Sequence, residues 1–285
     1  MRGGSGYTAA MRIQLFSDLH LERYPAFQPE LAPDTDVIVL AGDIGSYQGG
    51  SRLTGTDFGL ERFSPALGAT EARVLYEPGN HEYDGLDFDA THARLRATCD
   101  RLGITWLDRE TVVIDHVRFV GTTLWADFDA LAAGHELTKQ LKLREKAFRA
   151  ANFYLSKNTT LRHGEPVLAE GWRAMALDCQ AWLRSALAAP FDGVTVAVTH
   201  FAPSLKSADP RYGVTPGTAG FCNALDELLP QANLWMHGHL HCLNDYLVSG
   251  LDDGRPWSCR IVANPLGYLS KGEQEGFRPE LVIEL

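Results

Sequence analysis

Leu234-Trp235-Met236-His237-Gly238-His239-Leu240-His241 follows Asn233 and places three histidines within five positions, straight after a short apolar run. Successive side chains of a strand point to opposite faces. A bend over Gly238 at the strand end lets His239 and His241 turn toward one point. Imidazole binds zinc, iron, nickel and copper, and manganese when carboxylates join it. On its own, His-x-His is as easily a polar turn. The weight comes from four further polar clusters upstream, each at the end of a strand-like run.

Met11 to Phe16 alternates as a strand and runs into Ser17-Asp18-Leu19-His20. Asp36 to Leu40 is continuously apolar, as in a strand covered on both faces, and ends in Ala41-Gly42-Asp43. Arg73 to Glu77 ends in Pro78-Gly79-Asn80-His81-Glu82, and Val194 to Val198 ends in Thr199-His200. A charge such as Asp43 beyond an apolar strand is costly unless it is paired or metal-bound. In open α/β folds, sites gather beyond the carboxyl ends of strands. A histidine near metals but off them can act as a general acid. His81, next to Asn80, has that placement, with Glu82 expected to orient its other nitrogen.

The remaining pattern is α/β. Helices are expected over 58–67, 88–102, 128–155, 170–187 and 223–229. A hairpin or adjacent strands are expected at 112–114 and 117–122, and further strands at 246–249, 259–263 and 281–283. In the 128–155 helix, Leu137, Leu141, Phe148 and Leu155 recur at heptad-like spacing. Strands and helices alternate early and strands dominate late, which indicates two packed sheets with helices outside.

The 285 residues are 45% hydrophobic, without a linker or an internal repeat, so a single domain over 11–285 is expected. Residues 1–10 are Gly-rich, lack an apolar signal core and read as a disordered leader. A net charge of -10 argues against duplex nucleic acid as partner. No apolar run is long enough to span a membrane. Five scattered cysteines without a Cys-x-x-Cys pair fit reduced thiols and a cytoplasmic location. From Glu136 to His163, seven Lys and Arg stand against two Glu, a local basic stretch able to steer an anion.

The order Asp-x-His, Gly-Asp, Gly-Asn-His-Glu, a lone His and Gly-His-x-His, from Asp18 to His241, resembles the calcineurin-like metallophosphoesterase superfamily. Gly121 to Trp125 and Asn264 to Tyr268 resemble its bacterial members. The resemblance implies a four-layer α/β/β/α sandwich of two mixed sheets with flanking helices. It also implies two divalent or trivalent metal ions, Mn, Fe or Zn. One would take Asp18, His20, Asp43 and His241. The other would take Asp43, Asn80, His200 and His239, with Asp43 bridging. His81 would be the general acid and Glu82 its partner; His237 has no assigned role. Residues 127–187 would form a helical elaboration beside the site.

Two cations about 3.5–4 Å apart can clamp a phosphate and activate a shared water. The expected reaction is therefore phosphoester hydrolysis by a metal-bridging hydroxide on a small phosphodiester or phosphomonoester. A nuclease of the same superfamily and a non-catalytic metal-binding scaffold are the alternatives. Gly42-Asp43 is followed by Ile44-Gly45-Ser46, not the Asp-Arg-Gly of Ser/Thr protein phosphatases. Gly-Asn-His-Glu also departs from the Gly-Asn-Arg-Asp of lipid A precursor pyrophosphatases. Both departures weigh against those substrates.

Overall fold

A computed structural model of the chain describes residues 10–157 and 160–285. All but the last residue of the expected leader lie outside the described residues; Ala10 is exposed.

The strands are β1 (Arg12–Phe16), β2 (Val37–Ala41), β3 (Arg73–Glu77), β4 (Thr105–Trp106), β5 (Glu110–Ile114) and β6 (Val117–Thr122). They continue with β7 (Leu161–Arg162), β8 (Glu165–Pro166), β9 (Val194–Thr199), β10 (Leu234–His237), β11 (Asn244–Asp252), β12 (Arg255–Ala263) and β13 (Val282–Glu284). The α-helices are α1 (Phe88–Leu102), α2 (Leu137–Leu155) and α3 (Ala169–Ala188). One sheet has the order β13-β1-β2-β3-β4 and the other β11-β12-β10-β9-β6-β5; β7 and β8 form a separate hairpin. Both large sheets are mixed. β1, β2, β3 and β4 are parallel with β13 antiparallel, whereas β6, β9, β10 and β12 are parallel with β5 and β11 antiparallel.

Strand alternation builds the layers. Val37, Val39 and Ala41 of β2 join Leu234 and Met236 of β10 in a core between the sheets. The intervening Ile38, Leu40 and Trp235 point outward into the core beneath the helices. Leu95, Cys99 and Leu102 of α1 cover the first sheet's outer face, and Trp172, Ala176, Cys179 and Leu183 of α3 cover the second's. α1 has its expected bounds because Asp87 caps it, accepting from the Ala90 N–H at 3.1 Å. Gly103, at φ 69°, ends it in the left-handed conformation that glycine tolerates.

Several expected helices differ. Residues 58–67 contain only a 3₁₀ turn at Leu60–Phe63, entered through Gly59 at φ 76°. The segment 128–136 is turns, with Phe128 at φ 62° and Gly134 at φ 77°. α2 starts only where Glu136 accepts from the N–H groups of Thr138 and Lys139. Its heptad-like stripe is not a continuous core seam: Leu137 and Leu141 are 68% and 50% exposed, and Ala147 is the buried residue. Residues 223–229 do not form a helix either; Asp226–Gln231 is 3₁₀, with Pro230 inside it.

Of the stretch 127–187, α3 belongs to the outer layer of the second sheet. α2 packs on α3 and on the 3₁₀ segment Pro216–Gly220. Two of the three arginines of the basic stretch are paired with carboxylates outside it. Arg144 pairs with Asp129 at 2.6 Å and Arg162 with Asp89 at 3.0 Å, while Arg149 pairs with Glu145 at 3.3 Å. Its steering field is correspondingly weaker than the local count suggests.

Candidate metal centre

The carboxyl ends of β1, β2 and β3 meet those of β9 and β10 at one edge of the sandwich. Ser17 bridges Pro265, the Gly238 N–H donates to His200 O at 3.0 Å, and His200 Nδ1 lies 2.9 Å from Ala41 O across the two sheets. β1, β2 and β10 leave the sheets through sharp bends. Asp18, His20, Asp43, His239 and His241 all have positive φ, between 48° and 71°. Such conformations cost about 1–3 kcal/mol each outside glycine, and they concentrate where function requires a particular side-chain aim. Gly79 permits the closest approach: a Cβ there would collide with Oδ1 and the backbone N of Asp43.

The bends bring all seven expected ligands together. Asp18, His20, Asp43 and His241 offer ligand atoms within 4.8 Å of one another, and Asp43, His200 and His239 form a second such group. Asn80 Oδ1 lies 3.2 Å from His200 Nε2 and so joins the second group. Asp43 is common to both. Its Oδ2 and the Nε2 of His239 are buried without a hydrogen-bond partner. His20 Nε2 and His241 Nε2 lie 3.0 Å apart, which aims two lone pairs at one place.

The electrostatics suit cations. Burial disfavours charge on Asp18, yet His241 beside it holds the carboxyl down at about 2. Burial would likewise lower His200 and His241, but Asp43 raises the former and Asp18 with Glu273 the latter, each to about 9. Burial and the neighbouring His200 keep His239 neutral, well below its ordinary value; burial also lowers His20. The field that holds protons on His200 and His241 would equally hold metal ions, and the carboxylate–imidazole donor set fits manganese, iron or zinc.

His81 stands beside this group. Its side chain is 20% exposed and its Nε2 is 3.9 Å from Asp43 Oδ2. Its Nδ1 is 2.6 Å from Asp84 Oδ2. The expected pairing of His81 with Glu82 is therefore incorrect. Glu82 is turned into the protein, where its carboxylate accepts from the backbone N–H groups of Asp43, Ile44 and Gly79 at 3.1, 2.7 and 2.9 Å. It clamps two strand-end loops, and the short 3₁₀ turn His81–Tyr83 sends it and Asp84 in different directions. Burial first, then Asp43, pushes the Glu82 carboxyl up to about 8.

His237 is a satisfied core residue. Its Nδ1 meets Gly238 O at 2.9 Å and its Nε2 meets Ser207 Oγ at 2.9 Å, and burial pushes it down to about 4.

Several contributors escaped the sequence reading. Glu22 Oε1 lies 3.1 Å from His20 Nδ1, and Glu273 Oε2 lies 2.7 Å from His241 Nδ1. The Tyr268 ring stacks on His20 at 4.3 Å, and Phe201 stacks on His239 at 4.0 Å. Glu22 was detectable as the next acid in the alternation Asp18-Leu19-His20-Leu21-Glu22. Glu273 has no comparable signal.

Known proteins are similar to this chain over nearly its whole length. Over 97% of this chain and 96% of its own, the phosphopantetheinyl hydrolase of Mycobacterium tuberculosis is structurally similar, with a TM-score of 0.65 at 20% identity. An uncharacterized protein of Acanthamoeba polyphaga mimivirus is 24% identical, over 96% of this chain and 97% of its own length. The sequence profile of the calcineurin-like phosphoesterases matches residues 11–243, a span that contains every residue of the two ligand groups. With that match, and with two mixed sheets and flanking helices beneath the site, the chain belongs to the calcineurin-like phosphoesterase family and is a metal-dependent phosphoesterase.

Proposed function

We propose that this enzyme hydrolyses small phosphodiesters or phosphomonoesters at a centre of two cations. One would be held by Asp18, His20, Asp43 and His241, the other by Asp43, Asn80, His200 and His239. The observation that carries this reading is Asp43, whose carboxylate is common to both groups of ligand atoms. Two cations so held would supply charge to clamp the phosphate and lower the pKa of a shared water.

The protein's own groups do the rest. The Asp84 carboxylate orients the His81 imidazole through Nδ1, leaving Nε2 on the side of Asp43. Burial would lower the His81 pKa, but Asp43 and Asp84 together raise it to about 10, so the ring holds a proton to deliver to the leaving oxygen. Tyr268 covers the opposite face of His20 and restricts water there. Glu82 keeps the Asp43 loop in place.

The net charge of -10 and the neutralised arginines of the basic stretch favour a small substrate over nucleic acid. No helix among the described residues is long and apolar enough to cross a membrane. All five cysteines are free thiols, which supports a reducing, cytoplasmic setting.

The test is turnover of the metal-reconstituted enzyme on a phosphoester panel. It should include alkyl and p-nitrophenyl mono- and diesters, a phosphopantetheinyl ester in view of the structural relative's name, and single-stranded DNA. Hydrolysis of small esters well above DNA is expected. Preferential cleavage of DNA would replace this reading with a nuclease, and metal binding without turnover of any ester would replace it with a scaffold.

A further inference from the structure

The two ligand groups are backed differently. Around His20 and His241, each Nδ1 faces a carboxylate: Glu22 Oε1 at 3.1 Å and Glu273 Oε2 at 2.7 Å. Around His200, Nδ1 faces only the neutral Ala41 O at 2.9 Å. The first position therefore gathers Asp18, Asp43, Glu22 and Glu273, whereas the second has the shared Asp43 and the neutral Asn80.

Both glutamates are built into the fold for this contact. Glu22 is fully buried, and its other oxygen, Oε2, has no hydrogen-bond partner. Glu273 is also buried, and its Oε2 accepts a second bond, from the Tyr268 N–H at 2.8 Å. Gly267, at φ 66°, lets the Glu273 side chain approach; a Cβ there would fall 2.7 Å from Glu273 Cβ. The Lys271 ammonium, 3.8 Å from Glu273 Oε1, is 57% exposed and offsets this charge only partly. A carboxylate accepting the far N–H of a ligating imidazole fixes its tautomer, orients the ring and makes the near nitrogen more basic. Removal of such a partner typically costs about 10–100-fold in metal affinity.

We propose that Glu22 and Glu273 are positioning residues that make the Asp18/His20/Asp43/His241 position the tighter of the two, so that the cations load in order. This rests on the two-cation reading but not on any substrate.

The experiment is titration of the metal-free, full-length protein with Mn²⁺ by calorimetry, together with the release of bound Mn²⁺ to excess chelator. The unaltered protein should bind in two steps of distinct affinity and lose metal in a fast and a slow phase. Glu273→Gln keeps an oxygen acceptor for His241 and Tyr268 but removes the charge. It should weaken the tight step alone by about 10–100-fold and accelerate only the slow phase. Glu22→Gln should do the same, and circular dichroism of the metal-free variants checks that they fold.

A general structural defect would weaken both steps, and that result would overturn the proposal. So would two equal steps in the unaltered protein, or folded Gln variants with unchanged binding. If neither variant folds, single-phase release from the unaltered protein still overturns ordered loading, and two-phase release supports it. A protein that binds no Mn²⁺ overturns the metal centre itself. Two-step binding without turnover would sink only the phosphoesterase reading.

Discussion

His81 Nδ1 lies 2.6 Å from Asp84 Oδ2, and this contact turns the opposite ring nitrogen toward Asp43. Asp84 is 6% exposed, so its charge acts on the imidazole with little screening by water.

Replacement of His81 by alanine should leave both metals in place and lower turnover of an alkyl phosphodiester by about 10²–10⁴-fold. A p-nitrophenyl diester, whose leaving group departs without a proton, should lose much less. Elemental analysis alongside kinetics on the two diesters checks this. Equal losses would mean that His81 stabilises charge on the phosphate, and loss of metal would make it a ligand.

Asp84→Asn should affect the same substrates as His81→Ala, but less severely. A general acid works while protonated, so activity falls as pH rises through the His81 pKa. Asp84 helps to raise that pKa, and its loss must lower it. The alkaline limb of the kcat/KM profile for the alkyl diester should therefore move to lower pH. A limb that stays in place would assign it to another group.

Asp43→Ala should remove most bound metal and nearly all activity, because both ligand groups lose a member. Gly79→Ala should lower metal content without replacing a ligand, since its Cβ would displace the Asp43 carboxylate and backbone. Full metal occupancy in the Asp43 variant would rule out the bridging assignment.

Glu77, at the end of β3, is buried with its Oε1 accepting from Thr123 Oγ1 at 2.9 Å. Burial, then the neighbouring Asp108, pushes its carboxyl well above the ordinary 4.5. The folded state thus keeps a proton that the unfolded chain releases. Its contribution to stability is fully present below about 4.5 and declines as pH rises toward the folded-state pKa. Glu77→Gln should abolish that decline and gain stability over the unaltered protein between about pH 5 and pH 8. Urea unfolding across that range measures it; parallel curves for the two proteins would contradict it.

A chain beginning at Met11 should fold and turn over normally. The Met11 N–H donates to Leu285 O at 3.1 Å, the Leu285 N–H donates back to Met11 O at 3.0 Å, and both bonds remain available in the shortened chain. A large fall in melting temperature on truncation would show that the first ten residues pack against the domain.

The amino-acid sequence by itself determined the layers and the ligand groups. Both are written in local order: apolar runs such as Val37–Ala41 have the periodicity of buried strands, and each metal-binding type of residue follows directly from such a run. Parallel strands with a common edge then carry Asp18, Asp43, Asn80, His200 and the Gly238 histidines to one place. Only the tertiary structure decided which atom each side chain meets. The acids Glu82 and Asp84, on either side of Tyr83, separated because one 3₁₀ turn sends the former to three backbone N–H groups and the latter to His81. His237, in the same cluster as His239 and His241, entered the core because it still lies on β10, where Ser207 meets its ring. Glu273 reaches His241 from 32 positions along the chain. Leu137 and Leu141 stayed exposed although their spacing matched a core seam. Periodicity reports which face a residue shares with its neighbours in the chain; contacts between distant segments arise only when loops close, and the residues that meet there carry no repeating pattern.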